Sequence, residues 1–252
     1  MNSLLDELMA AAERRARHLP RIPASAAREL PAARGRFARA VRGKERLHVI
    51  GEFKRASPSA GRLTSRGPLE VAQDYVAAGI AALSVVTEPT RFAGSLDDLR
   101  KVAGRVPLPV LCKDFVASTR QIEAAAEAGA AAVLLIARAL DRARLRDFAA
   151  AAAAWGLDAL VECRNAAEVE RALALPDVLV GVNNRDLATL EVDVTRAPRL
   201  LERVPADRIA VAESGYARGE DLAPLGGVAD AVLIGTALLK GGDVAAFTRR
   251  RP

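Results

Sequence analysis

Eight short apolar runs recur through residues 48–252, and most are followed by a loop and a stretch of helical period. They are HVIGEFKR (48–55), ALSVVTE (82–88), PVLCKDF (109–115), AVLLIAR (132–138), DALVECR (158–164), VLVGVNNRD (178–186), RIAVAES (208–214) and AVLIGTAL (231–238). The intervening stretches PLEVAQDYVAAG, SLDDLRKVAG, STRQIEAAAEAG, DRARLRDFAAAAAAWG and NAAEVERALAL begin on Ser, Asx or Pro start signals, and most end on Gly. Near-continuous apolar strands alternating with helices are those of a parallel sheet covered on both faces. Eight such units imply an α/β chain folded as a closed (β/α)8 TIM barrel. A doubly wound open sheet would want a glycine-rich phosphate fingerprint after its first strand. Here that strand runs into EFKRASPSAGR instead.

Residues 1–47 stand apart from the repeat and read as a helical extension packed on the barrel of residues 48–252, not as an independent domain. Ser3-Leu-Leu-Asp6 resembles a capping box. Leu4, Leu5, Leu8 and Met9 follow as an amphipathic stripe, so one helix is expected at about 3–17 and, after a Pro-broken connector, a second at about 33–42. The formal net charge of +6 lies wholly in this extension, because the charges of residues 48–252 cancel. An excess of this kind suits an anionic substrate, or a solvated Arg-rich helix face. The expectation is that the first helix covers the mouth of the barrel and helps to hold substrate, the alternative being that it closes the bottom. A hydrophobic content of 51% excludes disorder as the main state, and two cysteines exclude a disulfide scaffold. No apolar stretch is long enough to span a bilayer, and Asp6 and Glu7 stand where a signal peptide would be basic. A cytoplasmic protein without a membrane partner is expected.

Arginine outnumbers lysine 32 to 5, so each lysine is informative. Lysine can give up a proton at a reacting centre, and arginine stays charged. Barrel chemistry lies at the C-terminal ends of the strands, where charges are otherwise costly to bury. Glu52 and Lys54 end the first strand with one parity, so both point the same way, as do Lys113 and Phe115 at the third. Glu162 lies on the fifth strand, Asn183 and Arg185 end the sixth, and Glu213, Ser214 and Gly215 end the seventh. A structural ion pair at the rim would account for any one of these. The set points to acid–base chemistry between lysines and glutamates in a crowded mouth. Gly215 after the seventh strand, and Gly235 with Thr236 after the eighth, are placed to let a phosphate approach backbone N–H groups, and Ser57 could add a hydroxyl. Cys112 and Cys163 have the opposite parity to their catalytic neighbours and read as packing residues facing the helices. No ligand spacing for a metal is apparent.

GEFKRASPSAG, SVVTEPTRFAGSLDDL, PVLCKDF, LVECRN, VGVNNRDLATL, VAESGY and DAVLIGTALL, taken in order, resemble the successive motifs of indole-3-glycerol phosphate synthases. The resemblance covers nearly the whole chain and includes the extension. It implies an enzyme of tryptophan biosynthesis that closes the ring of 1-(2-carboxyphenylamino)-1-deoxyribulose 5-phosphate, releasing carbon dioxide and water, with no cofactor and no metal. It also implies catalytic roles for Lys113, Glu162, Lys54, Glu52, Asn183 and Ser214, and substrate contacts from Arg185 and Glu213. Ser57, Gly215, Gly235 and Thr236 would bind the phosphate. Phe92, Phe115, Leu134, Leu187 and Leu233 suit the lining of an aryl pocket, although ordinary barrel packing would also account for them. Gly51, Cys112, Arg164 and Thr236 depart from common family residues without removing a catalytic group. A phosphosugar isomerase of the same barrel type would leave Lys113 without a role. A nucleic-acid partner finds no interleaved aromatic residues in the basic segment. The protein is expected to be a monomer acting on a small phosphorylated, anthranilate-derived molecule.

Overall fold

The computed structural model describes residues 3–23, 25, 34–43, 46–242 and 244–248. Much of the expected Pro-broken connector lies outside the described residues. Eight parallel strands close into a barrel: β1 (His48–Phe53), β2 (Ala82–Val86), β3 (Val110–Lys113), β4 (Ala132–Ile136), β5 (Asp158–Cys163), β6 (Leu179–Asn183), β7 (Ala210–Glu213) and β8 (Ala231–Ile234). Each pairs with its neighbours in sequence, and β8 returns to β1. Five outer helices match the expected segments: α3 (Pro68–Ala77), α4 (Leu96–Ala103), α5 (Thr119–Glu127), α6 (Arg142–Ala154) and α7 (Ala166–Leu173). Ser95, Ser118, Asp141 and Asn165 cap the last four by accepting backbone N–H groups. The later units are slighter. A long loop and the short α8 (Arg196–Leu201) follow β6, and a 3-10 segment (Gly219–Leu225) follows β7. After β8 come α9 (Thr236–Leu239) and α10 (Val244–Thr248).

Strand parity separates two cores. On β4, Ala132, Leu134 and Ile136 face inward and pack with Ile50, Leu111, Leu160, Leu179 and Leu233. Val133 and Leu135 belong to the layer beneath the helices, as do Cys112 and Cys163. Gly51 also faces this layer. A Cβ there would meet the Tyr75 ring and Ile80 Cδ1 at 2.6 Å, and the Tyr75 hydroxyl donates to the Glu52 carbonyl.

The extension supplies both ends of the barrel. α1 (Leu4–His18) begins with the capping box expected at Ser3 and Asp6. It buries Leu5, Leu8, Ala12 and Ala16, and it lies at the mouth beside the 3-10 turn Ala137–Ala139 that follows β4. Arg15 on its outer side pairs with Asp114 at 2.7 Å and Glu88 at 3.4 Å, both just beyond strand ends. α2 (Arg36–Val41) sits at the opposite end. Its fully buried Phe37 and Val41 join the interior core. Asp158 at the start of β5 accepts from the backbone N–H groups of Gly35 and Ala38, and Asp230 before β8 accepts from Gly43. The expected helix over the mouth and the alternative at the bottom are thus both present, in different segments. α1 turns Leu4 and Leu8 to the cavity, while Arg15 is engaged by rim carboxylates and Arg34 by Asp177.

Phe37→Ala should destabilise the protein by about 3–5 kcal/mol, since it empties a closed floor. Urea unfolding checks this. Removing residues 1–19 should leave a folded barrel by circular dichroism but raise KM, because the floor helix remains and the mouth loses its apolar cover.

Candidate active site

A cavity of about 430 Å³ opens at the C-terminal ends of the strands, beneath α1. Its walls include Glu52, Lys54, Lys113, Glu162, Asn183, Ser214 and Arg185. Phe92, Phe115, Leu134, Leu187 and Leu233 line it too, as do Ser57, Gly215, Gly235 and Thr236. Every site residue expected from the sequence therefore reaches this one cavity, except Glu213. That side chain lies a layer deeper, fully buried against Lys113. Its carboxylate meets Lys113 Nζ, which does line the cavity. Gly181 on β6 leaves room for it, since a Cβ there would stand 2.4 Å from Glu213 Oε1.

Charge inside the barrel is balanced locally. Lys113 Nζ is 3.5 Å from Glu213 Oε2 and 3.6 Å from Glu162 Oε2. Burial works against its ammonium form, but Glu213, Glu162 and Glu52 together raise its pKa above the ordinary lysine value. Lys54 donates to Glu52 at 2.5 Å. Burial favours the neutral form of Glu52, and Lys54, Lys113 and Arg185 outweigh it, holding the carboxyl below its usual range. For Glu213, burial dominates over the pull of Lys113, and with Glu162 and Glu52 as like charges the carboxyl is pushed up to about 8. Neither Oε atom has a hydrogen-bond partner, which leaves the Lys113 ammonium as its polar support. The thiols are poor nucleophiles: burial pushes Cys112 up to about 12 and raises Cys163 as well.

One side of the cavity is apolar. Phe92 and Phe115 lie with ring centroids 6.2 Å apart, close to Leu4 and Leu8 of α1. Glu88 sets the loop that carries Phe92: its carboxylate accepts from the N–H groups of Thr90, Arg91 and Phe92. The opposite side is built from the ends of β1, β7 and β8. The segment after β1 turns back as a small hairpin (Ala56–Ser57 with Gly61–Arg62), where Ser57 Oγ accepts from Ala60 N–H. At Gly235 a Cβ would stand 2.5 Å from Glu52 Oε1 and 3.1 Å from Lys54 Nζ, so the glycine allows this lysine to lie over the β8 end.

Sequence reasoning missed several supporting residues. Asn184 is fully buried and donates from Nδ2 to the Ser214 carbonyl and the Tyr216 hydroxyl, both at 3.0 Å. Its Oδ1 accepts from Ala197 N–H. It thereby holds Ser214 at φ +65°, a region that non-glycine residues seldom adopt. Asp186 pairs with Arg164 at 2.5 Å and Arg138 at 3.4 Å, so the departure at Arg164 ties the end of β5 to the loop after β6. Leu190 of that loop and Lys240 after α9 also line the cavity. The doubled Asn of NNRD was the available signal for Asn184. Arg164 was marked only as a departure from the common family residue, and nothing local marked Leu190.

A family model described as indole-3-glycerol phosphate synthase matches residues 5–250. The chain belongs to the indole-3-glycerol phosphate synthase family. It is 49% identical over 204 residues to the indole-3-glycerol phosphate synthase of a Nocardioides species, covering 80% of this chain and 78% of that one. It is 44% identical over 207 residues to that of Deinococcus radiodurans, covering 81% and 77%. Against that of Thermococcus kodakarensis it is 42% identical over 218 residues, covering 85% and 96%. The protein is accordingly a carboxy-lyase of tryptophan biosynthesis (EC 4.1.1.48), acting on a phosphorylated, anthranilate-derived substrate. Among the described residues no helix is long and apolar enough to cross a membrane, and no cluster of His, Cys, Asp or Glu could hold a metal.

The raised Glu213 pKa carries a sign. Between pH 4.5 and about 8 the unfolded chain has lost this proton and the folded protein keeps it. The group therefore lowers stability as pH rises through that window. Urea midpoints measured across it should fall less steeply in Glu213→Gln than in the wild type.

Proposed function

We propose that Lys113 protonates the substrate ketone oxygen during ring closure. The observation that carries this reading is one ammonium held between Glu162 and Glu213 in a cavity with an apolar wall on one side and glycine-rich strand ends on the other. The substrate has the same layout: an aryl carboxylate at one end, a phosphate at the other and the ketone between them. With the ring against Phe92, Phe115, Leu134, Leu187 and Leu233, and the phosphate at Ser57, Gly215, Gly235 and Thr236, the ketone falls near Lys113.

The ring carbon that bears the carboxylate attacks the ketone carbon, and a carbon–carbon bond forms as the carbonyl electron pair moves to oxygen. Lys113 delivers a proton there, which neutralises the charge as it develops. The bond to the carboxylate then breaks, carbon dioxide leaves, and its electron pair restores aromaticity. Dehydration needs an acid for the departing hydroxyl and a base for a carbon-bound proton. Lys54, coupled to Glu52, fills the first role, and Glu162 fills the second. Asn183 and Ser214 hold the reacting part in place, and Arg185 faces the aryl carboxylate. One proton is consumed overall, that accepted by the ketone oxygen. No cofactor enters this reading. The extension (residues 1–47) and the barrel (residues 48–252) act as one unit in a cytoplasmic monomer.

Lys113→Ala should lower turnover about 10²–10⁴-fold, the usual contribution of a positioned acid. Lys113→Arg should not restore it, because a guanidinium is a poor proton donor. The appearance of indole fluorescence from the carboxyphenylamino substrate measures both, and wild-type turnover in Lys113→Ala would overturn the assignment.

A further inference from the structure

We propose that Lys240 is a substrate-binding residue whose ammonium meets the substrate phosphate at the rim of the β8 end. The inference rests on the reading of Gly215, Gly235 and Thr236 as the phosphate end of the cavity. It starts from the disposition of charge. The cations on the cavity wall are Lys54, Lys113, Arg185 and Lys240. Lys54 is held by Glu52, and Lys113 by Glu162 and Glu213. Arg185 donates to the Leu190 carbonyl and senses the charge of Glu52. Arg15 of α1 is engaged by Asp114 and Glu88. Among the described residues, the Lys240 ammonium alone of the four wall cations has no hydrogen bond or ion pair. A dianionic phosphate arriving at a wall whose other cations already have polar partners would find an unengaged ammonium here.

The backbone supports the same placement. Lys240 closes α9, where its N–H donates to the Thr236 carbonyl at 3.1 Å. Thr236 and Lys240 are four residues apart and so share one face of this turn. Both line the cavity, and Lys240 is exposed at its edge. A long, flexible side chain there can follow the phosphate from solvent to the strand ends. Composition agrees, because in a chain with 32 arginines a lysine at this rim is not the default cation. An ammonium also meets a phosphate as a compact point charge with rotatable donors.

The test compares Lys240→Gln, Lys240→Arg and the outer-helix control Lys101→Gln in the full chain. Steady-state kinetics with the carboxyphenylamino substrate are combined with competitive inhibition by inorganic phosphate. Loss of one charge-assisted contact at an exposed rim should raise KM, and weaken inhibition by phosphate, by about 5–20-fold in Lys240→Gln, with a much smaller change in kcat. Lys240→Arg should recover most of both losses, and Lys101→Gln should match the wild type. Phosphate that inhibits the wild type and Lys240→Gln equally, with equal KM, would overturn the role of Lys240 alone. Failure of phosphate to compete in the wild type would overturn the placement of the phosphate end, and this inference with it.

Discussion

Closing a sheet on itself creates an inner surface that no second layer can cover, and the barrel must fill it from its own strands and from whatever enters at the ends. Here the ends receive opposite treatment. At the bottom, Phe37 and Val41 enter from α2 and lie completely buried, fixed by the carboxylates of Asp158 and Asp230. At the top the filling is charged. Glu52, Lys54, Lys113 and Glu162 stand where apolar side chains would otherwise continue the column of Ile50, Leu111 and Leu160. The sealed floor removes water from one side of these charges, so their mutual attraction acts at short range in a poorly screened setting.

Those charges are organised around an imbalance. Lys113 and Lys54 face Glu52, Glu162 and Glu213, two cations among three carboxylates. The surplus falls on the group with the least solvent and no hydrogen-bond donor, and the Glu213 carboxyl is pushed up to about 8. A buried carboxyl that keeps its proton near neutrality leaves Lys113 firmly cationic without surrounding it by more negative charge than the site can hold. Gly181 makes this possible sterically. A small residue on β6 is thus part of the electrostatics of β3.

Much of this was legible in the sequence because strand parity and strand order are local properties. Once HVIGEFK is a strand, Glu52 and Lys54 must share a direction, and eight such runs in order place their ends around one mouth. The five regular outer helices follow from start signals beside apolar periodicity. What escaped depends on contacts between distant segments. The division of the extension between mouth and floor is decided by Arg15 meeting Asp114 and by Phe37 finding the open barrel end, and neither contact has a local sign. The depth of Glu213 depends on the space over Gly181. Asn184 follows Asn183 directly, and opposite parity sends it outward to bind the Ser214 carbonyl, Tyr216 and Ala197.

Gly51 shows how such a structure constrains its own divergence. Its missing Cβ is the space in which the Tyr75 ring lies, and that ring in turn is tied to the Glu52 carbonyl, one residue from Gly51 and toward the mouth end of β1. Alanine at position 51 would be an ordinary strand residue in a barrel whose α3 carried something smaller there. In this chain it drives a methyl group into an aromatic edge and pushes on the backbone of β1. The two positions are therefore coupled: the cost of a side chain at 51 depends on the residue at 75. A lineage that gains a Cβ at position 51 must make room in the Tyr75 ring and turn Ile80 Cδ1 aside, since both stand 2.6 Å from it.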